Sequence, residues 1–232
     1  MRRDKLQIVK LTRVTSTQDF AEAVSEMIDE NYVVVAEEQT RARGRYRRAW
    51  YSPKGGLWVT YVIKDFNVEE IALTTLRVAL AIRSVLSKYV NSTIRWPNDV
   101  VVNGKKISGV LVESSVQGSS SVGFIGFGIN SNVSVFPQDI NATSVKLETG
   151  KEIDNQLLLD EVIQKINQYI TKTPEEVYSE LNSNLYIKEK DVVLYGENWK
   201  KECKALFVDR YGRLVTMCGI FEVEEVLRLE TP

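Results

Sequence analysis

The sequence predicts an α+β protein: a mixed, largely antiparallel sheet with helices packed on it, followed by a small all-β part. Three observations carry that prediction. Strands and helices of the first 185 residues do not alternate as βαβ units. Asn103-Gly104 lies between two β-branched runs and favours a two-residue antiparallel turn. Beyond Leu185 only short strands punctuated by Gly196, Gly212 and Gly219 are left.

Along the chain, Ser16 stands as N-cap, with Asp19 as capping-box partner, before Phe20, Val24, Met27 and Ile28 at helical spacing. Tyr32 to Ala36 and Leu57 to Ile63 are β-branched and aromatic runs that read as buried strands. Glu69 to Tyr89 places Leu73, Leu76, Leu80 and Val85 near one face, a helix suited to lying on a sheet. Ile94-Arg95-Trp96 ends at Pro97, and Val100 to Val102 and Ile107 to Val112 flank the Asn-Gly turn as a hairpin. Val122 to Asn130 is a further strand. Helices follow over Asp154 to Ile170 and, from the Thr173-Pro174-Glu175-Glu176 start, to about Leu185. Val192 to Leu194, Ala205 to Val208, Leu214-Val215 and Phe221 to Val223 are the tail strands. The expected division is 1–185 for the main domain and 186–232 for the all-β domain.

Composition narrows the chemistry. With 44% hydrophobic and 26% charged residues in 232, the chain has the make-up of a soluble globular protein. Thirty basic residues against 31 acidic ones give no global field for a polyanion, so nucleic acid is disfavoured as the main partner. The absence of histidine excludes Ser/His/Asp and Cys/His nucleophilic sites and His-ligated zinc. Cys203 and Cys218 are too few for a disulfide framework and lack CxxC spacing, so they are expected to be small buried apolar residues. Met1-Arg2-Arg3-Asp4-Lys5 has no apolar run behind it, and no stretch approaches the length of a membrane span; a cytoplasmic protein is expected.

Two segments stand out chemically. Arg41, Arg43, Arg45, Arg47 and Arg48 put five arginines into eight positions of a nearly neutral chain, a density that costs self-repulsion unless an anion arrives. Guanidinium forks bind phosphate bidentately, and Gly44 lets backbone approach a ligand. A polyphosphate clamp, a solvated basic loop, and a nucleic-acid patch with Tyr46 and Trp50 as stacking platforms all fit that loop alone. Arg95-Trp96-Pro97-Asn98-Asp99 leads into the hairpin that brings Lys106 back beside Asn98 and Asp99, a place for a lysine to meet phosphate or simply a surface hairpin. Neither Gly104-Lys105-Lys106 nor Gly126-Phe127-Gly128 satisfies a P-loop or dinucleotide fingerprint, and the kinase motifs are absent.

Together and in this order, these segments resemble the biotin protein ligases. The family's S-T-N/Q is matched by Ser16-Thr17-Gln18, and its glutamine and GRGR-type loop ending in tryptophan by Gln39 and Ala42-Arg43-Gly44-Arg45 through Trp50. Its K/R-W-P-N-D is matched by Arg95 to Asp99, its K-x-x-G-I/V-L-V-E by Lys106 to Glu113, and its G-x-G-I-N by Gly126 to Asn130. Ala42 replaces the loop's first glycine, and Tyr46-Arg47 stand where a basic residue and glycine are frequent, so a stiffer loop is expected. Only a short lead precedes Ser16, so the resemblance points to a monofunctional ligase without a DNA-binding domain.

The resemblance implies a biotinyl/lipoyl ligase-like catalytic domain with an SH3-like C-terminal barrel. The implied activity makes biotinyl-5′-AMP from biotin and ATP with Mg²⁺, releases pyrophosphate, and passes biotin to a lysine of a biotin carboxyl carrier protein; a homodimer is the expected assembly. Lys106, Arg43 and Arg45 are the expected catalytic residues. Ser16, Thr17, Gln18, Gln39, Gly44, Arg45, Lys106, Gly109, Gly126 and Gly128 are expected around biotin. Arg43, Arg45, Arg48, Trp50, Asn98, Lys106 and Asn130 are expected around ATP. Asp99 is expected either to orient Lys106 or to help deprotonate the acceptor lysine, and metal ligands stay unassigned. Related lipoate or octanoate ligases share the architecture, but Gln39 with Ser16-Thr17 suits a ureido head better than a dithiolane. A noncatalytic nucleic-acid module using the arginine loop is the alternative from another class. The loop is expected to order when biotin or the adenylate brings an anion to it.

Overall fold

A computed structural model of the chain describes residues 6–231. In chain order its main elements are β1 (Gln7–Val14), α1 (Thr17–Val24), β2 (Tyr32–Gln39), β3 (Leu57–Lys64), α2 (Ile71–Leu86), β4 (Thr93–Arg95), β5 (Asp99–Val102), β6 (Lys105–Gln117), β7 (Ser120–Ile129), α3 (Val145–Thr149), α4 (Asn155–Ile170) and α5 (Pro174–Ser183). The short strands β8 (Asp191–Tyr195), β9 (Lys200–Val208), β10 (Leu214–Thr216), β11 (Gly219–Phe221) and β12 (Arg228–Glu230) follow. The chain packs as two compact units. One is the chain up to Ile71 with Ile107–Leu159; the other is Ala72–Lys106 with the chain from Asp160 onward.

The first unit lays its strands side by side in the order β1-β2-β3-β7-β6, with β1 parallel to β2 and the rest antiparallel, the mixed sheet that the pattern predicts. Tyr32, Val34, Val62 and Phe124 of this sheet are buried against Ala21 of α1, with Phe20 and Val24 packed on the same cluster. Burial of such side chains stabilises by about 1.5–3 kcal/mol each, so α1 is fixed to the sheet and its N-terminus has a defined position. Ser16 caps that end, accepting from Asp19 N at 3.3 Å. The expected reciprocal bond is replaced, because the Asp19 carboxylate turns to the guanidinium of Arg43, a stronger charge-assisted donor than a backbone amide.

The second unit holds α2, the antiparallel pair β4–β5, and a five-stranded antiparallel sheet in the order β11-β10-β9-β8-β12. Asn103 and Gly104 have φ of 49° and 80°, the two left-handed residues that an Asn-Gly turn supplies at least cost. Thr173 and Glu176 form the predicted reciprocal cap of α5. Trp96 is buried, and its indole donates to Gly212 O at 2.9 Å, so the segment carrying the Arg-Trp-Pro-Asn-Asp motif is anchored to a turn of the tail sheet. Among the described residues no helix is long and apolar enough to cross a membrane.

Several elements differ from the expectation. β1 and α3 were not predicted: β1 interrupts its alternation with Val9, and α3 is one short turn capped by Ser144. β12 was likewise missed, and β11 ends at Phe221 rather than Val223. Cys203 is buried as expected, but Cys218 is exposed. Cys203 and Cys218 are bonded to each other, with Cα atoms 5.8 Å apart, because β9 and the β10–β11 turn bring them together across a separation of 15 residues. A cross-link of that span constrains the unfolded chain by about 3 kcal/mol. Reduction is expected to lower the denaturation midpoint in guanidinium by the equivalent amount, and Cys203→Ser/Cys218→Ser should be insensitive to reductant.

Candidate active site

In the first unit, the N-terminus of α1, the end of β2 and the middle of β6–β7 converge through side-chain hydrogen bonds. Ser16, Thr17 and Gln18 are buried. Thr17 N donates to Gln39 Oε1 at 2.8 Å, with Thr17 Oγ1 3.1 Å from the same oxygen, and Gln39 Nε2 donates to Ser52 Oγ at 3.0 Å. Thr60, a polar residue inside the apolar β3 run, places its hydroxyl 3.0 Å from both Thr17 Oγ1 and Gln18 Oε1. Gln18 Nε2 donates to Phe124 O at 3.0 Å and to Glu113 Oε2 at 3.1 Å. Thr17, Gln18, Gln39, Ser52 and Thr60 thus form a largely buried array of neutral donors and acceptors, with the Glu113 carboxylate at its edge, the type of lining that suits a polar, uncharged head group.

Two glycines make room for it. A methyl at Gly126 would lie 2.6 Å from Gln18 Oε1 and 3.3 Å from Leu111 O; one at Gly128 would lie 2.6 Å from the Trp50 indole nitrogen. Gly128 pairs with Gly109 and Gly126 with Leu111 across β6–β7. The bare backbone is thus covered by Gln18 and Trp50 themselves, which is where the sequence placed ligand contact.

The arginine loop closes on itself. Gly44 N donates to Arg48 O at 2.8 Å and Trp50 N to Ala42 O at 2.9 Å, with Arg43 bridged to Ala49. Tyr46 and Arg47 have φ of 55° and 57°, two successive left-handed residues without glycine's freedom. A Cβ at Gly44 would meet only Arg48 O at 3.9 Å, so the loop's own packing does not demand glycine there. Arg45 lies over the Tyr46 ring and donates to its hydroxyl at 3.0 Å, while Arg47 and Arg48 are exposed. Arg43 is committed: Nε and Nη2 lie 3.1 and 3.0 Å from Asp19 Oδ1, and Nη1 lies 2.5 Å from Glu113 Oε1. The Glu113 hydrogen bond, with both carboxylate charges, raises the guanidinium pKa above its ordinary value against the opposing effect of burial. The anion that the loop was expected to need from outside is, at Arg43, supplied by the chain.

Asn130 is buried, donating through Nδ2 to Thr143 O at 3.0 Å and accepting from Val145 N through its backbone carbonyl. It therefore fixes the segment leading into α3.

The second unit carries the other cluster. Asp99 receives Lys106 Nζ at 2.6 Å on one oxygen and Arg95 Nη2 at 2.9 Å on the other, with its side chain 15% exposed. Burial alone would push this carboxyl up, but the charges and hydrogen bonds of Lys106 and Arg95 together outweigh it and hold the pKa below the usual carboxylate range. Such a carboxylate is placed to orient the two cations that it holds, the first of the two roles expected of it. Asn98 precedes it at a partly buried position.

The predicted residues thus fall into two groups. Ser16, Thr17, Gln18, Gln39, Arg43, Gly44, Arg45, Arg48, Trp50, Gly109, Gly126, Gly128 and Asn130 belong to the first unit, while Asn98, Asp99 and Lys106 belong to the second unit. Thr60 and Glu113 were given no role from the sequence. The signal was present, in a threonine within Leu57 to Ile63 and an acid closing an otherwise apolar strand.

Residues 9–130 match the model of the biotin/lipoate A/B protein ligase family. The bifunctional ligase/repressor BirA of Bacillus subtilis (strain 168) is 28% identical over 223 residues, covering 87% of this chain and 66% of that protein, so the chain spans just under two thirds of that relative. The biotin--[acetyl-CoA-carboxylase] ligase of Paracoccus denitrificans is 32% identical over 162 residues, covering 65% of this chain and 67% of that protein. Among solved structures, the biotin protein ligase from Aquifex aeolicus in complex with biotin and ATP superposes with a TM-score of 0.83 at 27% identity, covering 97% of this chain and 99% of that one.

Proposed function

From the premise that the chain belongs to the biotin/lipoate A/B protein ligase family, we propose that it activates biotin with ATP to biotinyl-5′-AMP and transfers the biotinyl group to a lysine of a biotin carboxyl carrier protein. The observation that carries the reading is the neutral array of Thr17, Gln39 and Ser52 beside the buried Ser16, whose hydroxyls and amide suit the C=O and two N–H groups of a ureido ring. A dithiolane has little to offer such a lining.

In the first step a biotin carboxylate oxygen attacks the α-phosphorus of ATP, and the bond to the bridging α–β oxygen breaks as pyrophosphate leaves. An anion approaching a polyanion needs cations: a unit charge at 4 Å offsets roughly 4 kcal/mol of repulsion at an effective dielectric of 20. Lys106 is the ammonium assigned to the carboxylate and α-phosphate, oriented by Asp99, which Arg95 holds from its other oxygen. Arg45 and the exposed Arg48 are assigned to the phosphates. Mg²⁺ enters as part of the nucleotide substrate, on its phosphate oxygens. In the second step the neutral amine of the acceptor lysine attacks the acyl carbon, AMP leaves with the bonding electrons, and the amine's surplus proton passes to solvent. Trp50 over Gly128 would help keep water from the anhydride.

Incubation with biotin, ATP and Mg²⁺ should leave a noncovalently retained biotinyl adenylate visible by native mass spectrometry, with pyrophosphate exchange that biotin supports and lipoate does not. Exchange driven by lipoate or octanoate instead would assign the related substrate, and a steep salt slope of oligonucleotide binding without exchange would assign the noncatalytic reading.

A further inference from the structure

Glu113 serves two donors at once. Its Oε1 receives Arg43 of the arginine loop and its Oε2 receives Gln18 of α1; the Thr60 hydroxyl donates its one proton to Gln18 Oε1 and can accept from the Thr17 hydroxyl, and Thr17 reaches Gln39 through its backbone N–H. One hydrogen-bonded line therefore runs from the neutral array to the loop, and the carboxylate is its only link that both sides reach by donating. Asp19 holds Arg43 from the other side, so one guanidinium stands between two carboxylates. A phosphate brought to Arg43 would meet two like charges, whereas a loop pinned by Arg43 keeps Arg45 and Arg48 on a fixed base. Exposed ion pairs usually contribute little. Here the Arg43 side chain is 23% exposed and the Glu113 side chain 38%, and Glu113 is itself bonded to the buried Gln18 amide, which makes the pair part of a network.

The geometry points to Glu113 as a positioning residue for the arginine loop, with Arg43 as the strut it holds and Arg45 and Arg48 left as the phosphate ligands. The roles of Arg45 and Arg48 rest on the ligase reading; the strut does not. A glutamine at position 113 has one acceptor oxygen and an NH₂ that would face a donor, so it cannot serve both partners.

The test is chymotryptic cleavage after Tyr46, which is 46% exposed, in the full chain without added substrate. Glu113→Gln should cleave about tenfold faster than the parent, Arg43→Gln similarly, and the double variant no faster than either, with melting temperatures within about 2 °C of the parent. If Glu113→Gln does not fold, Glu113→Asp, shorter by one methylene, should show the same direction. Parental cleavage rates in these variants, or effects that multiply in the double variant, would overturn the assignment. In pyrophosphate exchange, Glu113→Gln should raise the KM for ATP about tenfold with kcat nearly unchanged; a fall in kcat at constant KM would also overturn it. A parent chain without exchange would sink the ligase reading while leaving the cleavage result to decide the strut.

Discussion

Replacing Lys106 by alanine is expected to slow biotin-dependent pyrophosphate exchange by about 10²- to 10³-fold while changing the equilibrium binding of biotin far less. The difference arises because the ammonium is needed most when carboxylate and phosphate share one coordination sphere, and only interactions stronger in the transition state than before it change the rate of the step. The structure gives a reason to expect arginine to be a poor substitute. Lys106 approaches Asp99 to 2.6 Å as a compact charge, beside an Arg95 that already occupies the other oxygen, and a second planar fork has no room to reproduce that arrangement. Isothermal titration with biotin and single-turnover adenylation measure the two quantities separately. Equal losses in both would mean that Lys106 only holds biotin.

Asp99→Ala is expected to be the most destabilising single change in the second unit. It removes the shared anion from between Arg95 and Lys106, whose side chains are only 16% and 26% exposed, and breaking a largely buried pair by deleting one partner costs about 3–5 kcal/mol. For a chain of this size that corresponds to a fall in melting temperature of roughly 10 °C. Acid should erase the difference. Because the folded-state pKa of Asp99 lies below its unfolded value, its contribution is complete above the unfolded value of about 3.9 and disappears as pH falls through the folded one. Parent and variant melting temperatures should therefore converge in strong acid and stay separated by a constant amount from pH 6 to 8. A gap that closes near neutrality would refute the assignment of the stabilisation to this carboxylate.

What the sequence made legible was local chemistry. Asn103-Gly104 specifies its own turn, Thr173 to Glu176 its own cap, and the runs 32–36 and 57–63 their own burial, since each depends on neighbours a few residues away. The order of motifs was equally readable and leads to the family. What stayed hidden depends on segments far apart. β1 is defined by parallel pairing with β2, which no short-range pattern encodes. The Cys203–Cys218 bond depends on the approach of β9 to a later turn. Counting arginines gave the loop's charge but not its neutralisation, because Asp19 and Glu113 lie 24 and 70 residues from Arg43.

The paired left-handed residues Tyr46 and Arg47 give the loop an internal tension. Each such L-residue sits roughly 1–2 kcal/mol above its relaxed backbone, so the fold holds this segment partly wound. Any rearrangement that returns the two residues to negative φ releases that tension, and the segment would move as a sprung catch does, needing less of a push from whatever trips it.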